Sequence, residues 1–135
     1  MSSGFALGSG TSLRQEFIPS VSGPAYSIVV HIDKETSTGD VTATLRDASD
    51  IVYGTATISP TGSSSVELAN VAGSLVSGQT YYLVLETEDE ADVFINVGTG
   101  EAAEEGTDQL WTPLSSGYSL SCEVWNSIGK YEATS

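Results

Sequence analysis

Basic residues are nearly absent from this chain. Four Lys and Arg stand against 18 Asp and Glu over 135 residues, a formal net charge of −14. Phosphate binding needs a basic patch, and four scattered cations do not make one, so neither nucleic acid nor an anionic lipid surface is an expected partner. Cysteine and histidine are scarce as well. The lone Cys122 excludes an internal disulfide framework and a cysteine-rich zinc site. Its place in the alternating run Leu120, Cys122, Val124 makes it a small buried apolar residue. The lone His31 falls in mid-strand and no nucleophile-elbow sequence occurs, which removes the Ser, His and acid route to hydrolysis. The Gly-rich opening 4–10 neither follows a strand nor carries the lysine that phosphates need. No stretch reaches the roughly 18 apolar residues that cross a bilayer, so membrane insertion is not expected. Residues 1–10 (MSSGFALGSG) also lack the basic start and apolar run of a secretory signal. The expectation is a non-enzymatic protein that works inside the cell or leaves it by a route other than secretion.

What is present argues for order. Repulsion and low hydrophobicity together would leave a chain disordered. Here 39% of residues are hydrophobic, with Trp111, Trp125 and six tyrosines among them. The acid therefore reads as the skin of a folded domain suited to concentrated salt, where counterions screen self-repulsion. An extreme halophile, or a virus of one, is the expected source. The length is that of one domain, able to bury roughly two-thirds of its unfolded surface.

Short runs rich in Val, Ile, Thr and Tyr recur between Gly, Ser, Asp and Pro clusters, the signature of an all-β domain. Residues 41–47 (VTATLRD) set Val41, Ala43 and Leu45 on one face and Thr42, Thr44 and Arg46 on the other. Residues 27–33 do the same with Ile28, Val30 and Ile32 against Val29, His31 and Asp33. The run 51–58 follows a short Asp-rich turn, so 41–58 should be a hairpin around Ala48, Ser49 and Asp50. Residues 80–86 (TYYLVLE) are apolar on both faces and predict a central strand, covered on both sides or lying against another subunit. With further runs at 13–18, 65–68, 91–97, 109–114 and 119–125, about nine strands result. They fit a single antiparallel two-sheet β-sandwich over 13–125, flanked by an N-terminal arm (1–12) and a C-terminal tail (126–135). The segment 98–108 reads as an acidic loop, with 101–105 (EAAEE) able to form one helical turn.

Two kinds of site are legible. Calcium is a reasonable use for clustered carboxylates, and Asp47 with Asp50, and Asp89 within the run 88–90, are the candidate ligands, although neither cluster has EF-hand spacing. No other cofactor is implied. Aromatic side chains are the candidate ligand or interface positions: Tyr53, Tyr81, Trp111, Tyr118 and Trp125. Trp125 alternates onto the face opposite Leu120, Cys122 and Val124, so it should be on the less buried side.

The segment order LRQEFIP, GDVTATLRD, IVYG, SGQTYYLVLETED and SLSCEVW resembles the jelly-roll β-sandwich accessory domains of cell-surface and virion proteins, which are similar in shape to carbohydrate-binding modules. The resemblance spans about 13–125, and its most specific part is 76–89. It implies a jelly-roll-like fold and a structural or surface-binding role without catalytic residues. The leading expectation is a virion structural protein of a haloarchaeal virus: a capsid decoration or turret, or a tail or baseplate component. It would assemble in the host cytoplasm, lie at the virion surface, and form a symmetric trimer or pentamer contacting other virion proteins. The Gly- and Ser-rich tails would then be held by a neighbouring subunit. The alternative is a carbohydrate-binding or host-adhesion module reading surface glycan through Trp111, Tyr118 or Trp125.

Overall fold

The computed structural model describes the chain except residues 1, 9, 20–21, 33–34, 36, 62–64, 70, 72, 98–102, 108–109, 115–117, 121 and 127–135. The described residues form twelve strands: β1 (Ser2–Leu7), β2 (Ser12–Phe17), β3 (Ala25–Val30), β4 (Val41–Asp47), β5 (Val52–Ile58), β6 (Ser65–Glu67), β7 (Tyr81–Thr87), β8 (Ala91–Val97), β9 (Glu104–Thr107), β10 (Leu110–Pro113), β11 (Tyr118–Leu120) and β12 (Cys122–Asn126). Among the described residues no helix is long and apolar enough to cross a membrane.

One layer is a six-stranded antiparallel sheet in the order β10-β9-β2-β7-β4-β5. The facing layer is built from two three-stranded sheets, β1-β8-β11 and β12-β3-β6, joined by an Ile32 to Val93 bridge. The β4–β5 and β9–β10 hairpins stay within a layer, whereas the chain changes layer at nearly every other connection. Both flanks are stitched. Thr55 of β5 exchanges two backbone hydrogen bonds with Ala69, just beyond β6, and the Ala103 amide before β9 donates to the Tyr118 carbonyl of β11. These contacts pair part of the β5 edge and hold the two layers together at both flanks.

Alternation fixes what lies between the layers. Leu13, Val41, Ala43, Leu45, Leu83 and Leu85 from the large sheet meet Leu7, Ile28, Val30, Val93, Leu120 and Val124 from the other, all buried. Gln15 is the exception. Only 1% exposed, it accepts a hydrogen bond at Oε1 from the Leu120 amide (2.9 Å) and donates from Nε2 to the Glu16 carbonyl (3.1 Å). One polar side chain thereby ties β2 to β11 through the core.

The expected sandwich is observed, with twelve strands in place of about nine. Residues 2–7 are not an arm: they pair with β8 as β1. Residues 104–107 are neither loop nor helical turn but β9, although the sequence Glu-Glu-Gly-Thr has little strand propensity; the remainder of the expected loop, and the C-terminal tail after Asn126, lie outside the described residues. The β4–β5 hairpin turns at the expected place. There the Asp47 carboxylate accepts from the Ser49 and Ile51 amides (2.8 and 3.0 Å), and Asp50 takes a left-handed φ of 70°. A bulge follows, pairing Leu45 with Gly54 but Arg46 with Val52.

Candidate functional site

The outer face of the six-stranded sheet carries all three ion pairs given by the described residues. Strand register places Trp111, Gly106, Ser12, Glu86, Thr42 and Thr57 opposite one another across all six strands. The neighbouring row sets Glu104, Arg14, Val84, Thr44 and Thr55 side by side. A third brings Glu16, Tyr82, Arg46 and Val52 together. Successive rows share a face because alternate residues of a strand do.

Both arginines of the chain lie here. The Arg14 guanidinium sits over the Tyr82 ring (4.1 Å to the centroid) and the Trp111 ring (4.3 Å), and its Nε donates to Glu104 Oε1 at 2.9 Å. Rings of this kind attract a planar cation through their quadrupoles and restrict its rotamers. Arg46 donates from Nε to Thr44 Oγ1 (2.8 Å), from Nη1 to Asp50 (3.0 Å) and from Nη2 to Glu86 (3.4 Å). Glu86 also accepts from the Ser12 hydroxyl at 3.2 Å. Val84, flanked by Arg14 and Thr44, is only 3% exposed although it points away from the main core. This accounts for the two-faced apolar pattern of 80–86: β7 is central, with its inner face in the core and its outer face partly covered by polar neighbours.

Trp111 owes its position to a missing side chain. A Cβ on Gly106, its cross-strand partner, would come within 2.7 to 2.9 Å of three indole carbons, so only glycine lets the ring lie down on the sheet. The resulting concavity, about 570 Å³, extends from Gly10 and Thr11 past Ser12 and Glu86 to Arg46 and Asp50. A second, of about 610 Å³, continues it over Thr42 and Thr57 to Asp40 and Asp89, the two sharing Gly10, Glu86 and Thr87.

The sequence-derived candidates are dispersed. Trp111 belongs to this groove. Tyr81 does not reach the surface: it is 3% exposed, faces the core with Leu83 and Leu85, stacks near Phe17 (6.0 Å) and accepts a hydrogen bond from the Val76 amide. Tyr53, the bulge residue, meets Tyr81 edge-on at 5.7 Å and donates to Asp47 at 3.4 Å; partial desolvation, then the Asp47 charge, raise its pKa. Tyr118 packs against the core from β11 in the opposite layer. Trp125, on β12, is half-buried as alternation requires, and its indole N–H donates to Glu123 at 3.0 Å.

The acidic candidates are separated too. Asp47 is committed to its turn and Asp50 to Arg46, while Asp89 packs on Gly39 beyond the far end of β7. Eight strand residues put Asp89 roughly 25 Å from the Asp47 end. Among the described residues no group of three or more His, Cys, Asp or Glu is arranged to hold a metal ion. The residues that sequence reasoning missed are Arg14, Arg46 and Tyr82. Alternation with Leu13, Gln15 and Phe17 is the signal that could have put Arg14 on an outer face, but nothing local announces that β2 and β4 flank the same strand. Comparison with protein-family models finds no match, and comparison with curated proteins finds none.

Proposed function

We propose that this chain is a non-enzymatic structural subunit at the surface of a virion, from a virus of a halophilic host, working in a symmetric homo-oligomer. The observation that carries this is the distribution of exposed apolar side chains. Of the seven large ones among the described residues, Ile18, Ile51, Val52, Val71 and Val76 gather at one end of the sandwich. Ile18 follows Phe17, which pairs with Tyr81; Ile51 and Val52 open β5 beside the 48–50 turn; Val76 hydrogen-bonds the Tyr81 hydroxyl; and Val71 lies between Ala69, bridged to β5, and Gly73, beside the Tyr53 ring. On a skin of net charge −14, an apolar end is where copies can bury surface, and Asp50 there is already paired with Arg46. A closed ring of three or five would bury that end repeatedly.

Light scattering in molar salt tests the assembly. The wild type should show three or five times the 14.0 kDa chain mass, and Ile51→Asp should return it to a single chain. A wild type that stays at one chain mass at every concentration would overturn the oligomer.

A second reading, a carbohydrate-binding or host-adhesion module, is favoured by one observation of its own: Trp111 lies at a groove beside Arg14, whereas Tyr118 and Trp125 belong to the other layer. The two readings are compatible, because a subunit on the outside of a particle meets the host first.

A further inference from the structure

We infer that the outer-sheet groove is a binding site for a neutral, polyhydroxylated ligand, a saccharide without acidic groups, gripped by Arg14 and bordered by Trp111. The ligand class rests on the adhesion reading; the location and the selectivity come from the groove itself. Arg14 is prepared for a ligand. Two aromatic rings and Glu104 hold it in place, yet only Nε is used: among the described residues, neither terminal amino group meets a protein acceptor. The Trp111 indole N–H likewise has none there. Immobilised donors facing a concavity lose little entropy on binding, and a planar guanidinium suits two adjacent hydroxyl oxygens. Across the groove, the Glu86 and Asp50 carboxylates have lone pairs left after binding Arg46 and Ser12, so ligand hydroxyls find acceptors as well as donors.

Charge selects against anionic ligands. The first concavity sets Arg14 and Arg46 against Asp47, Asp50 and Glu86, and the second adds Asp40, Glu88 and Asp89 without a cation. A carboxylate-bearing sugar drawn to Arg14 would meet these acids. An uncharged polyol can use both kinds of partner and has no such repulsion to overcome.

Calorimetric titration in molar salt tests this with neutral oligosaccharides of glucose, mannose and galactose, and with matched oligomers of their uronic acids. At least one neutral series should bind at one site per chain, whatever the oligomeric state. Arg14→Lys and Trp111→Phe should each weaken binding about tenfold or more. Trp125→Phe, on the other layer, should leave it unchanged, and unaltered melting of all three variants shows that folding is not the cause. Preference for the uronic acids would overturn the neutral class while leaving adhesion standing. Binding lost with Trp125→Phe and kept with Arg14→Lys would overturn the location, and no binding in either series would overturn both the site and the adhesion reading.

Discussion

Gln15→Leu is the substitution that most sharply tests how the groove strand is held. Gln15 is fully enclosed, and its Oε1 is the acceptor for the Leu120 amide of the facing layer. Leucine has nearly the same volume, so no large cavity forms. The amide is left buried without that acceptor, at a cost of about 1–3 kcal/mol. The extra apolar contact returns about 1 kcal/mol. The net loss should be about 0–2 kcal/mol, a fall in Tm of up to roughly 7 °C for a domain of this size. Thermal melting gives the total, and hydrogen exchange at the Leu120 amide gives the site: its protection should drop by more than that of core amides in β4. Gln15→Glu sharpens the test. Burial would raise the carboxyl's pKa, so this variant should be least impaired below the ordinary Glu value near pH 4.3 and lose stability as pH rises through the raised value. A Gln15→Leu protein that melts above the wild-type temperature, or whose Leu120 amide keeps its protection, would refute the reasoning.

Three further outcomes follow from the same structure. Gly106→Ala should lift the Trp111 ring from β9, costing about 1–3 kcal/mol and shifting tryptophan emission; unchanged emission and stability would contradict the close approach. Tyr26 donates to Glu67 at 2.6 Å, and that hydrogen bond, then the Glu67 charge and some desolvation, raise its pKa. Because the folded state holds this proton more tightly than the unfolded one, the contribution is complete below about pH 10 and is lost as pH climbs through the raised value. Tyr26→Phe should flatten that part of the alkaline denaturation curve, and an identical curve would count against the bond. Transfer from molar to millimolar salt should lower the melting temperature by unscreening the −14 charge, and a flat or rising Tm would remove the case for adaptation to salt.

Much of the fold was legible because it rests on period-two burial. Val41, Ala43 and Leu45 lie inward as read, 41–47 is a strand with the expected bounds, and 80–86 marks the central strand. The hairpin turn was legible for a chemical reason, since Asp47 caps amides that its own spacing brings within reach. Strands β1 and β9 were not. Their Gly-, Ser- and Glu-rich sequences carry no strand pattern and owe their form to partners far along the chain: β8 for β1, and β2 for β9. The groove was hidden for the same reason. Trp111 was visible as an aromatic, but its meeting with Arg14, Tyr82 and Arg46 depends on the order β10-β9-β2-β7-β4, which joins residues up to 97 positions apart. Tyr81 and Tyr82 show the limit from the other side: adjacent in sequence, one is core and the other is groove.

The central claim, that this is a subunit on the outside of a virion, is tested most directly by immunogold labelling of intact particles released from the halophilic host, with antibody raised against this chain. The account predicts label at regularly spaced positions on the particle exterior, together with a band of 14.0 kDa chain mass in the purified particles. Purified particles that contain no such chain, or that label only after disruption, would contradict it.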